Sequence, residues 1–281
     1  MERASYLIKL SRPRFWFYLA GPIVVAVAYA ASNPSDLITF TTVAMFLYFL
    51  APANIYLYGI NDLFDANVDQ ENPKKEEKEV KYQGQGFVPY IVLGSGAAMF
   101  LLFPFIETAA WPWLILYLIL ATEYSAPPFR FKTTPFLDSV SNGLYIIPGV
   151  AAYVAVSGNH PPVAAVIGAW LWAMAMHTFS AIPDIEPDRR AGIDTTATAL
   201  GKRNTYLYCI GVWILSALSF TFYSTYAGLL IGVYAVLAAG IMISSISIDR
   251  AYWWYPYINT AIGAVLTLWS LINLIPPSTL V

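Results

Sequence analysis

Charge is what this sequence has least of. Of 281 residues, 11% are Asp, Glu, Lys or Arg, while 58% are hydrophobic. A soluble globular domain carries about 25% charged residues. So few charges cannot cover a water-facing surface of this size, which excludes a soluble enzyme. Cysteine is nearly absent: Cys209 is the single one, which excludes an intrachain disulfide and a cysteine-based metal centre. There is no basic surplus either. The formal net charge of −2 argues against a nucleic-acid partner, which needs a basic face. Short repeats are missing and aromatics reach 16%, against both fibrous architecture and disorder. The composition describes an integral membrane protein whose main partner is membrane lipid.

A spanning helix needs about 20 apolar residues. Candidate runs lie at roughly 14–31, 38–60, 87–106, 110–124, 137–156, 162–183, 204–223, 227–247 and 254–275. They are too long and too continuous for barrel strands. The expected fold is all-α, a polytopic helical bundle with nine transmembrane helices. No linker or composition shift divides the chain, so 1–281 reads as a single domain.

Charge placement supports this count. Arg3, Lys9, Arg12 and Arg14 precede the first run, and Lys74, Lys75, Lys78 and Lys81 follow the second. Arg130 and Lys132 follow the fourth, Arg189, Arg190, Lys202 and Arg203 the sixth, and Arg250 the eighth. With nine helices all of these share one side. By the positive-inside rule that side, N-terminus included, is the cytoplasm. The setting expected is the plasma membrane. The two long links, 61–86 and 184–202, also fall on the cytoplasmic side, where the working surface is expected.

Asn61, Asp65 and Asp69 are spaced i, i+4, i+8 and form one stripe on a helix. Asp62 lies beside Asp65 at i+3. Carboxylates this close repel unless a cation neutralises them. The alternative is a solvated acidic helix end, which opposes the helix macrodipole. Asp184 and Asp188 repeat the chemistry on the same expected side. Oxygen ligands without histidine or cysteine suit Mg²⁺ or Mn²⁺. Two such clusters at one mouth would hold two ions and, through them, a diphosphate. Tyr124-Ser-Ala-Pro-Pro-Phe-Arg130-Phe-Lys132 adds cations for a departing phosphate, or serves only as a positive-inside anchor.

These residues resemble the UbiA superfamily of intramembrane prenyltransferases. The Asn-Asp-x-x-Asp-x-x-x-Asp motif stands at 61, 62, 65 and 69, and Asp184–Asp188 with Arg189, Gly192 and Thr195 stands for the second. Pro183 replaces a basic residue common before the second motif, and the loop motif is stretched between Tyr124 and Lys132. Asn54–Asp62, Tyr124–Lys132 and Pro135–Ser139 look most like the carotenoid branch, the lycopene elongases. The resemblance implies Asn61, Asp65, Asp69, Asp184 and Asp188 as metal ligands for Mg²⁺. It implies Asp62, Tyr124, Arg130 and Lys132 as catalytic. The implied substrates are an allylic prenyl diphosphate, dimethylallyl diphosphate first, and a lipophilic acceptor, lycopene first, prenylated with or without hydration.

Other polar residues carry two readings each. Asn54 either orients the ligand aspartates and diphosphate or packs between helices. His177 either contacts substrate, sharing a helix face with Asp184, or is a packing residue. Arg189 is a candidate substrate contact, Arg12 an interface anchor, and Asp138 an N-cap of its own helix. Quinone, chlorophyll and archaeal ether-lipid prenylation remain alternatives. In a different class stands a transporter, which would place charges at mid-membrane.

Overall fold

The computed structural model describes residues 3–66 and 82–275. Asp69 and Lys74 to Lys81 lie outside the described residues. Every regular element among the described residues is helical. In chain order these are α1 (Arg3–Leu10), α2 (Trp16–Ala30), α3 (Phe40–Leu50), α4 (Pro52–Phe64), α5 (Val88–Ala97), α6 (Trp111–Glu123) and α7 (Leu137–Val140). They continue with α8 (Ile147–Ser157), α9 (Val163–Ser180), α10 (Ile185–Ala191), α11 (Thr196–Thr221), α12 (Thr225–Ile243), α13 (Ile248–Tyr252) and α14 (Tyr255–Leu274).

Seven helical segments among the described residues are long and apolar enough to cross a bilayer: Arg3–Ala30, Phe40–Phe64, Val88–Phe105, Leu137–Ser157, Val163–Ala191, Thr225–Ile243 and Ile248–Leu274. Two further helices fall where spans are expected. α6 is apolar but only 13 residues long. α11 has 26 residues, and its backbone leaves helical geometry at Gly201, φ +71°, just before Lys202 and Arg203. Outward faces are apolar: Leu229, Val236 and Ile243 make an exposed stripe along α12. Such a stripe is stable in contact with lipid and costly in water.

The contacts divide the chain into two compact units. The first comprises 1–129, 147–160 and 267–281. Here α2 packs on α8 and α3, and α4 packs on α5. The α4–α5 approach depends on two glycines. A Cβ at Gly59 would meet Val92 at 2.3 Å, and one at Gly96 would meet the Tyr56 ring at 2.5 Å. Small residues let helices approach closely where lipid supplies no hydrophobic driving force.

The run expected as one helix from 38 to 60 is two. Ala51 leaves helical geometry at φ −129°, ψ −60°, because Pro52 has no N–H and cannot continue the ladder. Asn54 repairs the break, its Nδ2 donating to the carbonyls of Phe49 at 2.9 Å and Leu50 at 3.1 Å.

The second unit comprises 130–146 and 161–266. α11 is its centre and packs on α9 and α12. Trp213, wholly buried, stacks on Tyr234 with centroids 5.6 Å apart, and Phe179 meets Tyr255 at 4.9 Å.

Candidate active site

The first acidic motif sits at the C-terminal end of α4. The helix ends at Phe64, and Asp65 is its C-cap, φ −102°, ψ 6°, with its N–H still bonded to the Asn61 carbonyl at 3.0 Å. Asn61 and Asp65 therefore keep their one-turn spacing, and both side chains are half-buried. The Asn61 Nδ2 donates to Ser125 Oγ at 3.2 Å. That contact turns the amide nitrogen away and leaves the amide oxygen as the atom suited to a cation.

Asp62 is different. It is 1% exposed, and Arg12 stands against it, Nη2 to Oδ1 at 3.2 Å. The Arg12 guanidinium also lies over the Tyr58 ring, 4.4 Å from its centroid. Repulsion between Asp62 and Asp65 is relieved on one side by a protein cation rather than a metal. Arg12 itself adopts a left-handed backbone, φ +49°, uncommon for a non-glycine residue. The interface anchor read from sequence is thus a partner of the motif.

The second motif lies where α9 passes through a 3-10 turn, Ile182–Asp184, into α10. Asp184 is the N-cap residue of α10 and Asp188 falls within it, both half-buried. Pro183 and Pro187 sit in first turns, where a missing N–H costs nothing. Arg189 donates to Glu186 Oε1 at 3.2 Å and to the Thr198 carbonyl at 2.9 Å. It braces α10 against α11.

In the loop, Tyr124 is the half-buried C-cap of α6. The Phe129 N–H donates to Glu123 Oε2 at 3.3 Å, which pins the turn between them. Arg130 has φ +45°, and its carbonyl accepts from the Thr133 hydroxyl at 3.0 Å. Lys132 follows in a 3-10 turn, half-buried.

Asp138 does not cap its own helix. Its carboxylate is fully buried and reaches across to the start of α11, accepting from the Thr196 N–H at 3.0 Å and from the Thr196 hydroxyl. The Phe136 N–H in turn donates to Thr196 Oγ1 at 2.7 Å. His177 lies on α9, half-buried, one residue before Thr178.

Among the described residues, no three of His, Cys, Asp and Glu converge on one point. The first motif instead offers one half-buried carboxylate, Asp65, beside the Asn61 amide, and the second offers two, Asp184 and Asp188. An oxygen-only donor set of this kind fits Mg²⁺, which keeps waters and completes its shell with substrate phosphates.

A match to the UbiA prenyltransferase family covers residues 18–271. The chain belongs to this family. As a UbiA-family member it is a membrane prenyltransferase. It is 58% identical to a lycopene elongase/hydratase of Haloferax volcanii, over 97% of this chain and 91% of that one. It is 56% identical to a lycopene elongase/hydratase of Haloarcula japonica, over 94% of this chain and 90% of the relative. Its fold is similar to that of a UbiA homologue from Archaeoglobus fulgidus bound to DMAPP and Mg²⁺, with TM-score 0.78 and 18% identity over 96% of this chain and 99% of that chain.

Proposed function

We propose that this prenyltransferase joins the five-carbon unit of dimethylallyl diphosphate to the ends of lycopene within the membrane, with hydration of the product. The observation that carries the reading is the identity of 56–58%, over more than nine-tenths of the chain, to lycopene elongase/hydratases. The same reading takes 1–281 as a single functional domain. It has nine transmembrane helices, an N-terminus in the cytoplasm and a catalytic mouth on the cytoplasmic side of the plasma membrane.

Asn61, Asp65, Asp69, Asp184 and Asp188 are proposed to hold two Mg²⁺ ions, for which Mn²⁺ can substitute. Bound there, the metal neutralises diphosphate charge as the allylic carbon–oxygen bond breaks. Arg130 and Lys132 are proposed to bind phosphate oxygens, and Tyr124 to act in the same reaction. Asp62 is held by Arg12 and fixes the direction in which Asn61 and Asp65 present their oxygens. Asn54 supports the same helix from its other end by closing the break before Pro52, and Arg189 holds α10 in place beneath Asp188. Aromatic faces stabilise the allylic cation. A terminal double bond of the acceptor then attacks it.

A carboxylated aromatic or a prenylglycerol phosphate would need a further basic pocket, because a buried unpaired anion is costly. A polyene needs only an apolar channel. The test is acceptor competition. Membranes containing the protein are given Mg²⁺, labelled dimethylallyl diphosphate, and lycopene, 4-hydroxybenzoate or geranylgeranylglyceryl phosphate. Label is expected in lycopene-derived product. Label in either polar acceptor, with none in the carotenoid, overturns the reading.

A further inference from the structure

The stretch from Arg130 to Phe136 carries the loop cations. Both of its ends have a positive φ on a residue other than glycine, +45° at Arg130 and +67° at Phe136. For a bulky aromatic residue such a backbone is a genuine outlier. It persists where the surroundings over-determine it, and such positions gather at functional sites. Between the two ends the chain is bonded step by step. The Thr133 N–H and hydroxyl donate to the Arg130 carbonyl at 3.1 and 3.0 Å. The Thr134 N–H donates to the Phe131 carbonyl at 3.1 Å, and the Asp138 N–H to the Thr134 carbonyl at 3.0 Å. Where Asp138 is held, the backbone of Arg130 and Lys132 is held with it.

Asp138 is held at the start of α11. Its buried carboxylate accepts from the N–H of Thr196 at 3.0 Å and from the Thr196 hydroxyl. The Thr196 hydroxyl oxygen in turn accepts from the Phe136 N–H at 2.7 Å. One threonine thus fixes both the strained residue and the first turn of α7. A carboxylate acceptor makes stronger hydrogen bonds than a neutral one, so the joint is stiff. The same turn of α11 is bonded on its other side to the second acidic motif. Thr195 and Thr198 cap each other, the Thr195 N–H donating to Thr198 Oγ1 at 2.8 Å and the Thr198 N–H to Thr195 Oγ1 at 3.1 Å. Arg189, which follows Asp188 on α10, donates to the Thr198 carbonyl at 2.9 Å. The loop cations and the Asp184–Asp188 motif share this fixed point within one compact unit.

We infer that Asp138 and Thr196 are positioning residues for the diphosphate, setting the place of Arg130 and Lys132 relative to the Asp184–Asp188 motif before substrate arrives. This rests on the reading of Arg130 and Lys132 as phosphate contacts. Neither Asp138 nor Thr196 touches the substrate in this scheme. Their tie keeps the loop in its strained conformation, so that the diphosphate meets cations already in place. Without the tie, the loop must order as the diphosphate binds, and that ordering opposes binding.

The experiment measures the dissociation constant of dimethylallyl S-thiolodiphosphate, an unreactive donor analogue, for the purified full chain in detergent with Mg²⁺. Wild type is compared with Thr196→Val, which keeps the shape and loses the hydroxyl, and with Thr196→Ser, which keeps the hydroxyl. Asp138→Asn, which keeps an acceptor for one donor only, gives a second measurement of the same tie. Thr196→Val should weaken binding about tenfold, Asp138→Asn should weaken it in the same direction, and Thr196→Ser should stay within about twofold of wild type. In a chain carrying Arg130→Gln and Lys132→Gln, adding Thr196→Val should weaken binding less than about twofold further, because the tie acts through those two side chains. A merely structural role would lower the melting temperature and leave the affinity of the folded protein unchanged. Unchanged affinity in Thr196→Val and Asp138→Asn therefore overturns the inference. So does an equal loss with and without the loop cations, or a Thr196→Ser chain that binds as weakly as Thr196→Val. If the chain lacking both loop cations binds as tightly as wild type, the phosphate role of the loop fails and the inference with it. If that chain binds weakly while Thr196→Val and Asp138→Asn bind as wild type does, the inference alone fails.

Discussion

The Arg12 guanidinium stands 3.2 Å from Asp62 Oδ1 across fifty residues of sequence, and it lies over the Tyr58 ring one turn before that aspartate. Asp62 is buried and Arg12 partly so, and removing Arg12 takes a cation away from a buried carboxylate, which is costly. Arg12→Ala is therefore expected to lower prenyl transfer at least tenfold. Adding Asp62→Asn should change the rate by less than about twofold further, as coupled residues are non-additive. Independent, multiplying losses would show that the two residues act separately.

Metal dependence follows from the oxygen donors of the two motifs. Asp65→Ala and Asp184→Ala should each abolish turnover while the protein still inserts, because one missing ligand leaves diphosphate charge unneutralised in the transition state. EDTA should do the same to the wild type, with recovery on adding Mg²⁺. Full activity in excess EDTA would refute the metal assignment.

The close approach of α4 and α5 gives a stability test. At Gly96 an added Cβ meets Tyr56, whose hydroxyl is bonded to Thr122 at 2.7 Å, so the ring cannot simply swing aside. Gly96→Ala should cost about 1–3 kcal/mol, read as a lower melting temperature in detergent. Gly94, with open space where its Cβ would stand, is the control: Gly94→Ala should leave the melting temperature unchanged or raise it slightly. Equal shifts for the two would remove the packing explanation.

Orientation can be read by labelling. In a Cys209→Ser background, a cysteine placed at Arg190 should react with an impermeant reagent only from the cytoplasmic face, and one at Glu107 only from outside. Reaction of both from the same face would contradict the nine-helix proposal.

Much of this was legible in the sequence. Long apolar runs and scarce charge announce a helical membrane bundle, and the Asn61–Asp65 spacing survives in the structure as an intact i, i+4 bond. Partners distant in sequence were not legible. Nothing in the run around Arg12 points to Asp62, and local spacing favours Asp138 as a cap of its own helix rather than a tie to Thr196. Pro52 marks the break in the second apolar run. Periodicity hid it, because apolar residues continue on both sides of the break, where Asn54 bonds the carbonyls of Phe49 and Leu50. Asp69 lies outside the described residues, so its place in the stripe rests on spacing alone.

Carotenoid prenylation by this UbiA-family chain is measured by expressing it in a host that makes lycopene and analysing the pigments by mass spectrometry. New carotenoids longer by one and two five-carbon units are expected, absent when Asp65→Ala is expressed at the same level. Unchanged lycopene, with prenylated quinone precursor or prenylglycerol phosphate in the same membranes, would contradict it.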